Sequence, residues 1–384
     1  MVTGGERPAA RSACETMSTR LFIGLMSGTS IDGIDAGLVD LSQLAPRLIT
    51  GIHHTLPGEL RQRLLDCARG AALAPLQIAR LDHDLGHQFA VAAKRLLEEA
   101  GVAPAAVAAI GSHGQTILHQ PNEAITWQLG APALVAAHTG IPTVADFRSL
   151  DLALGGEGAP LAPLFHQAAL GSSTEARAVL NLGGIANITL LEAGAALRGF
   201  DTGPANILMD AWVQRADGVP FDTDGARAAR GKVIGGLLHA LLAHPYYAAA
   251  PPKSTGRELF DLGGVDQALA ELGAAAPLAS DDVLSTLCEL TVCTVLEALR
   301  AHAPRVDELL VCGGGTRNAE LMRRLQCSFT GTVRTTDEAG VPSRWMEVMA
   351  FAWLARQHLD RQAVDTTTLT GARQPHVPGC MYQP

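Results

Sequence analysis

Residues 20–39 read RLFIGLMSGTSIDGIDAGLV. The apolar runs at 21–26 and 34–39 flank a turn rich in Gly, Ser and Asp, which predicts two strands joined by a polar turn. Glycines in such a turn let backbone N–H groups approach a ligand, and hydroxyls can donate hydrogen bonds to phosphate oxygens. The stretch therefore predicts a phosphate-binding hairpin, although an ordinary hairpin turn favours the same residues.

A similar unit recurs in the second half of the chain, where an apolar run at 176–182 turns at Gly183-Gly184 and returns at 188–191. Strands of this kind alternate with helical patterns such as those at 76–100 and 281–301. The alternation predicts mostly parallel sheets covered by helices. The repeated hairpin predicts two lobes of related design.

At 384 residues the chain is long for one hydrophobic core. We expect a disordered tail at 1–19, with Met17 as an alternative start. Residues 140–158 are rich in Gly, Pro and Asp, which predicts a crossing between two lobes there. We expect an N-terminal lobe over 20–140, completed by 345–384, and a C-terminal lobe over 141–344.

The composition limits the class of partner. Hydrophobic residues make up 47% and charged residues 17%, which is typical of a globular protein. The net charge of −9, without a cluster of Lys and Arg, disfavours nucleic acid and anionic membranes as partners. Seven scattered cysteines without a CxxC pair and no signal-like or membrane-length apolar run favour a reducing cytoplasm.

Gly183 and Gly184 predict a second phosphate-facing hairpin, so that the two lobes can clamp a triphosphate between them. Cys312 to Asn318 follow a predicted strand and precede a predicted helix. The bare backbone of Gly313, Gly314 and Gly315 there can receive an adenine or ribose. Neither a Rossmann fingerprint nor a Walker A loop is present.

Asp201 lies in the sequence GFDTGP, which predicts a tight turn before a helix. The carboxylate is either a helix cap or a general base that deprotonates a hydroxyl or water. Arg148 follows a predicted short strand and either binds a substrate carboxylate through its guanidinium fork or forms a structural ion pair.

Two further groups are weaker candidates. Lys253 and Arg257, in a Gly- and Pro-rich loop, either contact ligand or belong to a solvated loop. His83 and His87 have zinc-like spacing on a predicted helix, but no HExxH motif accompanies them.

Taken in order, these segments resemble the phosphate and adenosine segments of the actin, sugar-kinase and heat-shock chaperone superfamily. Within it, the chain resembles most closely the anhydro-N-acetylmuramic acid kinases. The resemblance runs from Leu21 to the C-terminus through MSGTSIDGID, GSHGQT, ADFRSLD, GGEGAPL, NLGGIANIT, GFDTGP, PPKSTGRE, CGGGTRN and MAFAWLA.

The resemblance implies an α/β fold of two actin-like, ribonuclease H-like lobes with a nucleotide cleft between them. It implies an enzyme that uses Mg²⁺ and ATP to open 1,6-anhydro-N-acetylmuramic acid with water and phosphorylate it at O6. The product would be N-acetylmuramic acid 6-phosphate, made in the bacterial cytoplasm during recycling of cell-wall sugars. A homodimer is also implied.

The site residues carried over are Asp201 as the catalytic base and Arg148 and Glu347 as sugar contacts. We expect ATP at two glycine turns and along one continuous segment, which comprises Gly28, Thr29, Ser30, Ile31, Asp32, Gly33, Ile34 and Asp35. Asp32 or Asp35 can hold Mg²⁺ through water. No metal site made by the protein alone is expected.

The sequence departs from the family pattern at three places: the extra N-terminal residues, Glu157 where Gln is expected, and Ala205 where Gly is usual. Rival interpretations are a kinase for another sugar or small acid, a hydrolase such as a phosphatase, and a nucleotide-gated ATPase without a sugar substrate. Asp201 argues against the last, because a pure switch needs no base directed at a sugar.

Overall fold

The computed structural model describes residues 20–28, 30–251, 253–256, 259–273 and 278–384. The predicted disordered tail, Thr29 and Arg257 lie outside the described residues. In that described part, no helix is both long and apolar enough to cross a membrane.

The first half of the chain alternates strands and helices. Its strands are β1 (Leu21–Ser27), β2 (Gly33–Asp40), β3 (Arg47–Thr55), β4 (Val107–Gln120), β5 (Ile125–Leu129) and β6 (Thr143–Ala145). Its helices are α1 (Gly58–Ala68), α2 (Pro75–Ala100), α3 (Pro132–Thr139), α4 (Ser149–Ala153) and α5 (Ala162–Leu170).

The second half repeats the alternation with more helices. Its strands are β7 (Arg177–Leu182), β8 (Ile185–Leu191), β9 (Arg198–Pro204), β10 (Glu308–Cys312), β11 (Thr332–Thr335) and β12 (Cys380–Tyr382). Its helices are α6 (Asn206–Asp217), α7 (Ala226–Arg230), α8 (Gly235–Leu242), α9 (Pro245–Ala248), α10 (Leu262–Glu271), α11 (Ser280–His302), α12 (Ala319–Ser328) and α13 (Met346–Leu359).

The two sheets share one strand order. The first contains the path β3-β2-β1-β4-β6 and the second the path β9-β8-β7-β10-β11. In each, the first three strands in sequence form an antiparallel meander, and the two remaining strands of the quoted path run parallel to the first strand. The prediction of an α/β fold with two lobes of related design is confirmed.

The prediction of mostly parallel sheets is wrong, because each sheet is mixed. Short turns join the first three strands of each lobe, and a short turn can only connect antiparallel neighbours. The apolar run at 106–110 predicts a strand there, and in the structure this strand, β4, continues to Gln120 because β5 pairs with its second half.

Two strands and one helix, β6, β12 and α13, test where the chain passes from one lobe to the other. β6, at 143–145, pairs with β4 of the first sheet, and β12 pairs in turn with β6. By sheet membership the change of lobe therefore falls between β6 and β7, after the proposed boundary at 140. The C-terminal β12 and α13, which packs on β1 and β4, both contribute to the first lobe.

The hydrophobic core forms three layers. One lies between the first sheet and α2 and includes Leu85 and Phe89. Another lies between the second sheet and α11. The central layer joins the two lobes, because it unites Phe22 of β1 and Val179 of β7 with Met349 and other residues of α13.

Two glycines allow α13 to lie directly on the first sheet. A Cβ at Gly24 of β1 would collide with the carbonyl oxygen of Val348, and one at Gly111 of β4 with the carbonyl oxygen of Phe351. Backbone cannot move aside as a flexible side chain can. These glycines therefore set how deeply α13 sits between the lobes.

We expect Gly111→Ala to lower the free energy of unfolding by roughly 1–3 kcal/mol, the usual cost of overpacking. Denaturant unfolding monitored by circular dichroism measures the loss. Gly58→Ala is the control, because nothing lies within 4 Å of a Cβ at that helix position, and it should leave the unfolding midpoint unchanged or slightly higher. Equal midpoints for the two variants would show that α13 does not need the bare backbone.

Candidate active site

Asp201 lies within strand β9 and not in the predicted turn, so that prediction is wrong. Its segment is rich in Gly, Thr and Pro, yet pairing with β8, in which Asn187 faces Asp201, holds it extended. The helix-cap interpretation is also wrong, because the N-cap of α6 is Ala205. Ala205 has φ of −108°, so the usual glycine is not required there.

The loop at 253–256 holds Asp201 in place. The backbone N–H of Thr255 donates to Asp201 Oδ2 at 2.9 Å, and the backbone N–H of Asp201 donates to the Lys253 carbonyl at 3.1 Å. Tyr246 donates its hydroxyl hydrogen to the Asp201 carbonyl. Oδ1 accepts no hydrogen bond from the described residues, so one carboxylate oxygen is fixed and the other is available.

Burial raises the pKa of Asp201 above its ordinary value. The Thr255 N–H and the positive charge of Lys253 oppose this shift without reversing it. A carboxylate in a partly desolvated site is a stronger base than one in water, which suits proton abstraction.

Arg148 follows β6, as predicted, and extends toward β4. It makes no ion pair within 4 Å in the described part of the chain, so the structural ion-pair interpretation is not supported there. Its Nε and Nη2 donate to His113 Nε2 at 3.1 and 2.9 Å, and its Nη1 donates to the Gly158 carbonyl at 2.7 Å. Burial lowers the pKa of Arg148 to about 10, so it remains a cation at neutral pH.

Glu347 is the second residue of α13. Burial raises its pKa, the charge of Arg148 opposes the shift, and the charge of Asp35 adds to it. Its side chain is nevertheless accessible, because it lies at the wall of a cavity. Glu347 thus links the hairpin of β1 and β2 to the region around Arg148 electrostatically.

A cavity of about 470 Å³ brings these residues together between the two lobes. Asp201 and Asn187 line it from the second sheet, and Arg148 and Glu347 line it from the first lobe. Lys253 and Glu157 are also at its wall. The three residues predicted for catalysis and sugar binding therefore share one cavity.

The predicted phosphate hairpin joins β1 to β2 but does not line this cavity. Ile31 and Ile34 are buried in the core at 1% and 0% exposure, so only their backbone can meet a ligand. Ser30 donates to Asp32 Oδ1 at 2.9 Å at the exposed tip. A Cβ at Gly33 would meet the His53 ring, and His53 also hydrogen-bonds Asp35 at 2.8 Å.

The two glycine turns of the second lobe lie against each other. Gly183 and Gly184 close the β7–β8 hairpin, and Gly313 has φ of 87° just after β10. A Cβ at Gly313 would lie 2.8 Å from the Leu182 carbonyl oxygen, so any larger residue would collide with backbone there. After Gly313, residues Gly314–Arg317 form a 3₁₀ turn before α12.

Several residues near the site were missed by the sequence analysis. His113, within GSHGQT, received no role although a polar cluster follows an apolar run there, and Tyr246 carried no signal. Lys253 was one of two candidates in its loop; its Nζ donates to the carbonyls of Tyr246 and Tyr247, and the residue lines the cavity.

Metal-binding side chains are scattered. Over the described ranges, no group of three or more His, Cys, Asp or Glu is placed to hold a metal ion. His83 and His87 pack ring against ring at 4.6 Å, and the His87 ring also contacts that of His138 at 4.7 Å.

Two lobes of one strand order, with an acid and an arginine at the cavity between them, define a two-lobed α/β protein with a candidate active site between its sheets. The family model for anhydro-N-acetylmuramic acid kinase matches residues 20–384. The chain belongs to the anhydro-N-acetylmuramic acid kinase family, and the predicted resemblance is confirmed.

Individual relatives agree with the family match. An anhydro-N-acetylmuramic acid kinase from Bordetella parapertussis strain 12822 is 50% identical over 364 residues, which cover 94% of this chain and 96% of that protein. One from Xanthomonas campestris pv. campestris strain 8004 is 50% identical over 369 residues, which cover 94% of this chain and 97% of that protein. A crystal structure of a ROK family glucokinase from Streptomyces griseus is similar over 88% of this chain and 99% of its own, at a TM-score of 0.41 and 18% identity.

We expect Lys253→Met to raise the pKa of Asp201 further, because the charge of Lys253 lowers it. Titration of the Asp201 carboxyl carbon by NMR measures this shift. Lys232→Met removes an exposed lysine that does not line the cavity and should leave the titration unchanged. If Asp201 titrates alike in both variants, the charge of Lys253 does not act on it.

Proposed function

We propose that the protein is an ATP-dependent kinase that opens 1,6-anhydro-N-acetylmuramic acid with water and phosphorylates it at O6. The observation that carries the proposal is Asp201, which has one oxygen fixed by Thr255, the other without a described partner, and a raised pKa. It lies at the wall of an interlobe cavity with Arg148. The identity of the sugar is inferred from the family to which the chain belongs.

Asp201 acts as the general base in this reaction. It removes a proton from water as the water oxygen bonds to C1 of the sugar, and the C1–O6 bond breaks. The electron pair goes to O6, which bonds to the γ-phosphorus of ATP as the bond to ADP breaks. Asp201 finishes with the proton, and the products are ADP and N-acetylmuramic acid 6-phosphate.

Arg148 binds the carboxylate of the sugar's lactyl group. A guanidinium is suited to a carboxylate because its parallel N–H groups match the two oxygens. Arg148 lies in a desolvated setting, and no carboxylate of the described residues is within ion-pair distance of it. The charges of Glu347 and Asp151 act on it from farther away, so an anionic ligand would supply a direct countercharge. Glu347, on α13, contacts uncharged groups of the sugar such as its hydroxyls.

ATP binds at the glycine turns of both lobes. The β1–β2 hairpin offers backbone N–H groups and the hydroxyl of Ser30 to phosphates, while the adjoining turns at 183–184 and 313–315 offer bare backbone to the nucleoside. Asp32 and Asp35 would hold Mg²⁺ through water, since their carboxylate oxygens are ligands of the kind that this ion prefers. An ion held there would neutralise phosphate charge.

The homodimer and the cytoplasmic location are proposals that rest on the family alone. Sedimentation velocity of the full chain tests the homodimer, because the mass obtained for a dimer is twice that of the 40.1 kDa chain. The two proposed lobes can close on their ligands as two-lobed kinases do.

We expect ADP release from Mg²⁺ and ATP to depend on anhydro-N-acetylmuramic acid, with a product heavier than the sugar by one phosphate group and one water. A coupled ADP assay and mass spectrometry measure both. ADP release without sugar dependence would favour an ATPase switch or a hydrolase. Turnover with a different sugar alone would favour the rival kinase.

Asp201→Asn should lower kcat by about 10²–10⁴-fold while ATP still binds, because a general base contributes about that factor. Steady-state kinetics and calorimetric ATP titration measure the two effects. Asp261→Asn is the matched control, since Asp261 caps α10 outside the cavity and asparagine caps helices equally well. Near-normal turnover by Asp201→Asn would remove Asp201 from the mechanism.

A further inference from the structure

We propose that His113 is a positioning and specificity-determining residue, which holds the Arg148 guanidinium so that its two remaining N–H groups select a carboxylate on the sugar. The proposal rests on the proposed function, because it takes Arg148 as the residue that binds the sugar's carboxylate. His113 itself does not line the interlobe cavity and acts through Arg148.

The donor count of Arg148 leaves one recognition face. A guanidinium has five N–H donors. One on Nε and one on Nη2 are directed at His113 Nε2, and one on Nη1 is directed at the Gly158 carbonyl. The two that remain are one on Nη1 and one on Nη2, and in the proposed arrangement they form the parallel pair that a carboxylate accepts in bidentate fashion.

The neighbours of His113 define its protonation state. Nδ1 lies 3.0 Å from the Gly114 carbonyl oxygen, which can only accept, so Nδ1 carries the hydrogen. Nε2 faces two Arg148 donors and must therefore be the acceptor. Burial and the charge of Arg148 both lower the pKa of His113 well below its ordinary value, which agrees with a neutral ring.

His113 cannot turn away from this arrangement. It is 5% exposed, and its ring packs against that of Phe351 on α13 at a centroid distance of 4.6 Å. Gly114 has φ of 76°, and a Cβ there would meet the Leu129 carbonyl of β5, so the carbonyl that receives Nδ1–H is itself fixed.

Because the acceptor of the Arg148 hydrogen bonds is a neutral imidazole, it affects ligand binding differently from a carboxylate. A carboxylate in place of His113 would orient Arg148 but neutralise it, and the ligand would meet a paired cation. His113 supplies orientation without charge, so the positive charge of Arg148 remains available. The site should therefore prefer the sugar acid over its uncharged carboxamide, which has the same shape but no charge.

The test compares kcat and KM for anhydro-N-acetylmuramic acid and for its primary carboxamide. Charged hydrogen-bonding groups are stronger than neutral ones, so we expect wild type to favour the acid by about ten- to a hundredfold in kcat/KM. His113→Phe keeps the ring against Phe351 but removes the acceptor. His113→Gln loses the ring but places an amide oxygen near the position of Nε2.

We expect His113→Phe to raise KM for the acid by about tenfold or more, with a much smaller change in kcat, and to bring the acid-to-amide preference close to one. His113→Gln should retain most of that preference. A role in packing alone predicts the reverse order, with phenylalanine tolerated and glutamine not. A wild-type preference kept by His113→Phe, or equal losses in the two variants, overturns the proposal.

The wild-type data separate failure of this inference from failure of the proposed function. If ADP release does not depend on either sugar, the kinase proposal fails and the inference fails with it. If wild type uses acid and amide equally well, the kinase stands and the role of His113 is refuted.

A measurement on the unmodified protein covers the case in which His113→Phe does not fold. Long-range ¹H–¹⁵N correlation spectra of protein labelled at histidine report the tautomer of each ring. We expect His113 to be neutral with hydrogen on Nδ1 at pH 7. The opposite tautomer, or an imidazolium, would leave Arg148 without its acceptor and overturn the proposal.

Discussion

The packing of α13 on bare backbone is the constraint on which the rest of the structure depends. Gly24 and Gly111 let the helix approach β1 and β4 closely enough to leave no room for a Cβ. From that position α13 joins both lobes through the central core layer. It also places Glu347 at the cavity wall and Phe351 against His113, so the site depends on the depth of one helix.

The cavity combines desolvation with the charged side chains of Asp201, Glu347 and Arg148. Burial raises the pKa of both Asp201 and Glu347, which makes their carboxylates more basic than they are in water. Arg148 remains a cation there, oriented by a neutral histidine and a carbonyl oxygen. In the proposed function, Arg148 binds the anionic sugar and Asp201 takes the proton of the attacking water.

The sequence predicted the strands and helices with strong local patterns, namely β1, β2, α2 and β10. It failed where pairing partners decide the conformation. β9 contains Gly, Thr and Pro, and only its pairing with β8 makes it a strand that carries Asp201. The second half of β4 is likewise held by β5, about ten residues away in sequence, a partner that local propensity does not reveal.

By itself, the sequence determined the family, the two-lobed α/β class and Asp201, Arg148 and Glu347 as candidate residues, because short motifs with fixed spacing carry that information. Only the tertiary structure decided that these three line one cavity and that His113 contacts Arg148. Asp201 and Arg148 are 53 positions apart, and Glu347 lies another 146 beyond Asp201. Their proximity, and the burial that shifts their pKa values, arise from the docking of α13 and the two sheets.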